Sequence, residues 1–172
     1  MGYPASGPHI LRALRNDGGT FTTMANLVGL SDGEVSLADT DRDGDLDLLA
    51  SGFGIGGGQT RIYLNDGAGH FTSPFSIQSL QNAAARFGDY DGNGWPDFGI
   101  SGEAGPYFTG IGTNQNGAGF AISALTTPSL SRGSVDWADA DNNGWLDLLV
   151  TGSGVTGADT TAPTLWLPQR LP

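Results

Sequence analysis

The stretch Asp39-Thr40-Asp41-Arg42-Asp43-Gly44-Asp45-Leu46-Asp47 decides how this chain is read, because it comes back twice. It returns as Asp89-Tyr90-Asp91-Gly92-Asn93-Gly94-Trp95-Pro96-Asp97 and as Asp139-Ala140-Asp141-Asn142-Asn143-Gly144-Trp145-Leu146-Asp147. The first aspartates stand at 39, 89 and 139, a spacing of 50 without slippage. Each copy carries a carboxylate or amide oxygen at loop positions 1, 3, 5 and 9, and glycine at position 6. Such donors suit a hard cation such as Ca²⁺, which takes six to eight oxygens at roughly 2.3–2.6 Å while the glycine lets the loop turn back around it. The main-chain carbonyl of position 7, carried by Asp45, Trp95 and Trp145, would complete each set. Three structural calcium sites are therefore expected. The first uses Asp39, Asp41, Asp43, Asp45 and Asp47, and the second Asp89, Asp91, Asn93, Trp95 and Asp97. The third uses Asp139, Asp141, Asn143, Trp145 and Asp147.

An EF-hand begins in the same way, but it needs a bidentate glutamate at position 12 and a helix on each side. Position 12 here is Ala50, Ile100 and Val150. The flanks, Glu34-Val35-Ser36-Leu37-Ala38 before and Leu46-Asp47-Leu48-Leu49-Ala50 after, alternate or run apolar as strands do. The pattern predicts strand–loop–strand metal sites. A single acid-rich loop is as readily a solvated turn; three at one spacing, each keeping Gly at position 6 and Asp at position 9, argue for metal.

Composition agrees with a small folded unit. The 172 residues are 38% hydrophobic, enough for one compact domain with its own core. Twenty-nine glycines and nine prolines sit at recurring turn positions, which suits many short strands rather than disorder. The net charge of −11 argues against nucleic acid or an anionic membrane as partner. Three divalent cations would bring that charge to about −5, ordinary for a soluble domain. Without them the acidic loops should repel themselves open, so stability should depend on metal. The chain has no cysteine, which leaves the redox compartment open. It has no apolar run of membrane-spanning length. Its start, Met1-Gly2-Tyr3-Pro4-Ala5, lacks the basic end and apolar centre of a signal peptide, so any targeting segment is expected to lie outside this sequence.

The repeat is wider than its acidic loop. Leu30, Leu80 and Leu130 keep the same spacing, as do Gly52, Gly102 and Gly152. Asn16-Asp17-Gly18-Gly19-Thr20-Phe21, Asn65-Asp66-Gly67-Ala68-Gly69-His70-Phe71 and Asn116-Gly117-Ala118-Gly119-Phe120 read as one turn with small length changes, its Asn and Gly tolerating positive φ. One unit reads as four strands, at about 34–38, 46–51, 60–64 and 70–78, the second apolar enough to lie buried between neighbours. A period of about 40–50 residues with four strands per unit predicts an all-β propeller, one unit per blade.

At these residues the chain resembles the FG-GAP repeats, also called VCBS-type repeats, of integrin α-subunit propellers and many bacterial surface proteins. Phe87-Gly88-Asp89-Tyr90-Asp91 and the downstream Gly102-Glu103-Ala104-Gly105-Pro106 approximate the two halves of the name motif, and the outer copies keep no clear second half. Leu37-Ala38 and Trp137-Ala138 replace Phe-Gly in the outer copies. The resemblance covers about 9–167 and implies a calcium-stabilised propeller working in extracellular adhesion or ligand binding.

The single propeller-type domain, 1–172, is expected to divide into a half blade at 9–27, whole blades at 33–79 and 83–127, and at 133–167 a half blade with an extra strand. Split outer blades leave two readings, a piece of a longer propeller or two copies that complete each other's halves into a six-bladed ring. Trp95 and Trp145 could stack on a sugar or, more plainly, cap their loops or pack on the next blade. Trp137 is expected in the core and Trp166 at an inter-chain contact. His9 and His70 give no converging catalytic pair, and Glu34 and Glu103 are expected as solvated strand-end residues, so an enzyme is not expected. The function expected is a non-enzymatic recognition or adhesion module at the cell surface or outside it, binding a protein or glycan. The alternatives are a lectin with pockets between blades, and a structural or engineered repeat scaffold that self-assembles into a closed propeller.

Overall fold

In the computed structural model, every regular element among the described residues is a β-strand. The structure describes residues 9–75, 77–105, 107–126 and 129–154, together with the backbone of 164–166. The chain opens with a hairpin of β1 (Leu11–Asp17) and β2 (Thr20–Leu27). A four-stranded antiparallel sheet follows, made of β3 (Ser31–Ala38), β4 (Asp47–Gly54), β5 (Gly57–Asn65) and β6 (Phe71–Thr72) in sequential order. The next sheet repeats it with β7 (Gln81–Gly88), β8 (Asp97–Glu103), β9 (Tyr107–Asn114) and β10 (Phe120–Ala124). Last come β11 (Leu130–Ser131), β12 (Val135–Ala138), β13 (Asp147–Val150), β14 (Ser153–Gly154) and β15 (Thr164–Trp166). Of these, β11 pairs with β14, while β12, β13 and β15 form one sheet in that order. These are blades of the kind the repeat predicts.

The second strands are the most deeply buried, as their unbroken apolar runs predict. Leu49, Ala50, Phe98 and Leu148 are all inaccessible to solvent. Of these strands, β4 and β8 each lie between two hydrogen-bonded neighbours and two packed sheets, so nearly every side chain on them is removed from water, whereas Leu149 of β13 is 39% exposed. The core is correspondingly divided among the gaps between sheets. Leu11 and Leu27 of the hairpin cover Leu48, Ala50 and Tyr63. Leu49 and Ile62 meet Leu80, Ala85, Phe98 and Ile100 of the next sheet, and Ala84 meets Val135 and Leu148 of the last. Each fully buried Leu, Ile or Phe contributes on the order of 1.5–3 kcal/mol through apolar burial.

Two features depart from the sequence reading. The fourth strand of the first sheet, expected to about residue 78, is only Phe71–Thr72. Pro74 has no N–H for a ladder, and beyond it Phe75 and Ile77 turn into the gap between sheets, Phe75 meeting the Phe120 ring edge-on at 5.7 Å. The first strands of the two four-stranded sheets, β3 and β7, also begin with a bulge. Asp32, Asn82 and Arg132 occupy the same repeat position and all have positive φ, between 47° and 56°. After the first bulge Gly33 is obligatory, since a Cβ there would lie 1.8 Å from the Ser51 carbonyl oxygen.

Trp137 is half-buried rather than fully enclosed. Its indole N–H donates to the Arg86 carbonyl at 3.0 Å, and its ring lies against Gly88 and Gly99 of the preceding sheet. The expectation for the side chain of Trp166, and that for Pro106 of the second name-motif half, lie outside what is described.

Candidate metal loops and an opposing cleft

Each acidic loop joins the first strand of a sheet to the second, and its aspartates fold the backbone around themselves. In the first loop, Asp39 accepts the N–H groups of Asp43 and Gly44, both at 3.1 Å, and Asp43 accepts that of Asp45 at 2.9 Å. In the third, Asp139 accepts Asn143 N–H at 3.0 Å and Gly144 N–H at 2.9 Å, and Asn143 Oδ1 accepts Trp145 N–H at 2.8 Å. The second follows the same plan, with Asp89 accepting Gly94 N–H at 2.8 Å and Asn93 Oδ1 accepting Trp95 N–H at 2.7 Å. Glycine at position 6 is explained directly, because Gly44, Gly94 and Gly144 have φ of 97°, 84° and 88°. Position 4 is also left-handed, at Arg42, Gly92 and Asn142, a regularity the varied side chains conceal.

This folding gathers carboxylates. Ligand oxygens of Asp39, Asp41 and Asp43 lie within 4.8 Å of one another, as do those of Asp89, Asp91 and Asp97, and those of Asp139, Asp141 and Asp147. Each cluster could hold a metal ion. Burial, aided by the neighbouring charges of Asp47 and Asp43, pushes the Asp41 carboxyl above its ordinary range. Burial likewise raises Asp97 to about 6, against the opposing donation of Asn114 N–H. Crowded carboxylates that resist ionisation gain from a nearby cation.

The position-9 aspartates do structural work as well. Asp47 is completely buried; one oxygen accepts the Thr40 N–H at 2.9 Å and the Thr40 hydroxyl, and the other the Asn65 N–H at 2.9 Å. Asp97 accepts Tyr90 N–H at 3.1 Å and Asn114 N–H at 2.7 Å. Asp147 accepts Ala140 N–H at 2.8 Å, and its Oδ1 is buried without a partner among the described residues. Asp89 Oδ1 is also buried and without a donor. The Asp89 oxygen keeps its lone pairs for a cation, so the donor set of the second loop fits a hard divalent ion on chemical grounds. Asp45 turns elsewhere: its carboxylate lies against Gly67 of the neighbouring turn, which leaves its main-chain carbonyl as the group to offer.

The tryptophans at position 7 connect one loop to the next. The Arg42 guanidinium lies 4.2 Å from the centre of the Trp95 ring and donates to the Asn93 carbonyl at 3.4 Å. Trp145 stands beside Gly92 of the second loop. The Trp95 ring thus packs on the loop of the neighbouring blade.

A cleft of about 410 Å³ lies at the other end of the first strands. Its walls come from the bulge positions of three successive repeats, including Asp32, Glu34, Asn82, Arg132 and Ser134. The two glutamates are ion-paired across sheets, not solvated as expected. Glu34 meets Arg86 at 2.6 Å and Glu103 meets Arg132 at 3.2 Å. Glu34 Oε2 is buried with no donor among the described residues. Sequence reasoning missed this cleft because its residue types differ in each repeat; only the shared spacing of Asp32, Asn82 and Arg132 could have shown it. The histidines stay apart, with His70 bonded to Asp66 at 2.7 Å and His9 edge-on to Phe53.

The sequence model of the FG-GAP-like repeat matches residues 39–100, from the first aspartate of the first loop to position 12 of the second. A comparison with curated proteins returned no match.

Proposed function

Taking residues 39–100 as a member of the FG-GAP-like repeat family, we propose that the chain is a calcium-stabilised, non-enzymatic recognition module. Its blades would hold a ligand-binding cleft in shape while three Ca²⁺ ions pin the connections between first and second strands. The observation that carries this reading is the threefold gathering of carboxylate oxygens within 4.8 Å, at loop positions 1, 3 and 5 in the first copy and 1, 3 and 9 in the other two. The donorless Asp89 Oδ1 supports it independently. In this reading Asp39, Asp41, Asp43 and Asp47, with their counterparts at 89, 91, 93, 97 and at 139, 141, 143, 147, hold the ions. Asp45, Trp95 and Trp145 add main-chain oxygens. The bound metal supplies charge neutralisation, and the protein supplies geometry.

Such loop sites fill most readily outside the cell, where even weak calcium sites operate. That setting suits an adhesion or ligand-binding role. No helix among the described residues is long and apolar enough to cross a membrane. The cleft mixes carboxylate, guanidinium, amide and hydroxyl groups, which matches the donors and acceptors of a polar protein loop or a glycan. Calorimetric titration of Ca²⁺ into chelator-stripped protein tests the metal half. Saturable binding near three ions per chain is expected, and heat indistinguishable from dilution would overturn it. A glycan array run beside a screen of extracellular proteins tests the recognition half. Binding that disappears in Arg132→Ala supports the cleft, and binding unaffected by changes at Asp32, Asn82 and Arg132 moves recognition elsewhere.

A further inference from the structure

Asp147 Oδ1 is a buried acceptor with nothing described to donate to it. In the two complete sheets the matching oxygen is bonded to an asparagine at the end of the third strand. Asn65 N–H donates to Asp47 at 2.9 Å, and Asn114 N–H donates to Asp97 at 2.7 Å. Both asparagines also send their Nδ2 back to the loop, to the carbonyls of Leu46 and Pro96. Both accept the N–H of a following glycine on Oδ1, Gly67 at 3.2 Å and Gly117 at 2.8 Å.

In the last sheet the third-strand position is taken by β15, which pairs with β13 over only three residues, Leu148↔Trp166, Leu149↔Leu165 and Val150↔Thr164. Asn65 stands two residues beyond Tyr63, the partner of Leu48. Two residues beyond Trp166 the sequence has Pro168, which has no N–H to give.

One asparagine elsewhere in the chain has the required setting. Asn16, near the end of β1, accepts Gly19 N–H on its Oδ1 at 2.7 Å, reproducing the asparagine turn of the complete sheets. The strand β1 pairs only with β2 among the described residues, so its other edge is open. The apolar side chains concerned are uncovered on both sides. Leu14 is 53% exposed where Tyr63, its counterpart, is 5%, and Leu149 is 39% exposed where Leu49 is 0%.

We propose that β1 of a second copy of this chain pairs antiparallel with β13 in place of β15, and that Asn16 of that copy donates its N–H to Asp147 Oδ1. Transferring the pairing of the first sheet sets the register as Leu14↔Leu148, Ala13↔Leu149 and Arg12↔Val150. The hairpin β1–β2 then supplies the third and fourth strands to a sheet whose first and second are β12 and β13. Done reciprocally, this gives two shared sheets in addition to the two complete sheets of each copy. The contact rests on strand chemistry and is independent of whether the loops hold calcium.

The chain has no cysteine, so engineered pairs report the register without background. The double variant Ala13→Cys with Leu149→Cys, oxidised at micromolar concentration, is expected to run at twice the chain mass on a non-reducing gel. Light scattering on the unmodified protein is expected to give the same doubled mass, and Asn16→Pro, which removes the main-chain N–H, should weaken that association by about tenfold through the orphaned buried acceptor. A folded monomer at all concentrations, a disulfide closed within one chain, or a dimer that does not form the cross-link would each overturn the proposal. A dimer that binds no calcium would overturn the metal reading alone, and a calcium-binding monomer this contact alone.

Discussion

The two oxygens of Asp97 serve the fold, and the charge they share is available to a cation in the loop. Removing the side chain leaves the N–H groups of Tyr90 and Asn114 without acceptors, at a cost of roughly 1–3 kcal/mol for each buried orphan. Asp91 differs, since among the described residues its oxygens accept only from Asn93, two positions on in the loop. Asp97→Ala should therefore lower the melting temperature in calcium and in chelator alike. Asp91→Ala should lower it mainly in calcium, and equal losses in both buffers would remove Asp91 from the metal set. The raised Asp97 carboxyl also fixes a pH dependence. Its folded value of about 6 exceeds the ordinary 3.8. The metal-free folded state therefore binds this proton more tightly than the unfolded one. That contribution to stability is complete below the unfolded value and is lost as pH rises through about 6. Metal reverses the preference, because the proton competes with it for the carboxylate. Metal-free protein minus its Asp97→Asn variant should thus show stability rising from pH 7 to pH 5, while calcium affinity falls over the same interval. A difference that is flat with pH would mean Asp97 stays ionised in the folded chain.

Strand periodicity and loop spacing carried most of the architecture because they are repeated, and repetition averages out the noise of single residues. The apolar second strands predicted β4, β8 and β13, and the Asn-Gly turns predicted where third strands end. What escaped was set by contacts across sheets. Nothing local marks Glu34 and Glu103 as ion-paired, since Arg86 and Arg132 lie in the following repeats. The acidic loops were readable as clusters, whereas the second duty of Asp47 and Asp97 depends on Asn65 and Asn114, each 17 or 18 residues away. Small residues also hide their reasons in sequence. Gly112 of β9 lies under the Phe98 ring, and a Cβ there would come within 2.2 Å of it. Phe98 is fully buried and meets Phe87 and Phe120, so it has little room to yield. Gly112→Ala should then destabilise by about 1–3 kcal/mol through overpacking, read as a lower denaturant midpoint with unchanged slope. Its effect should be partly relieved by Phe98→Leu in the same chain. Additive losses in the double variant would show that the ring is not what Gly112 accommodates.

At the scale of the molecule, each sheet is stabilised chiefly by the one before and the one after, since the three apolar clusters lie between sheets. Stability in such a stack is close to a sum of units and nearest-neighbour interfaces. The loops add a second line of contact along one end, through Arg42 on Trp95 and Trp145 beside Gly92. Calcium would act on both lines together, because each ion fixes a loop that also touches its neighbour. At a hundredfold excess over its dissociation constant, one filled site contributes about 2.7 kcal/mol, or roughly 5–10 °C in melting temperature for a chain of this size. Hydrogen exchange can locate that gain. The amides of β4 and β8, buried in the middle of their sheets, should exchange slowest. Adding calcium should slow β3, β4, β7, β8, β12 and β13 around the loops, and leave the β1–β2 hairpin largely unaltered at low protein concentration. Raising the concentration should then protect alternate amides of β1, those not bonded to β2, as its open edge finds β13 of another copy. Protection of β1 that follows calcium and ignores protein concentration would place the control of that edge within a single chain.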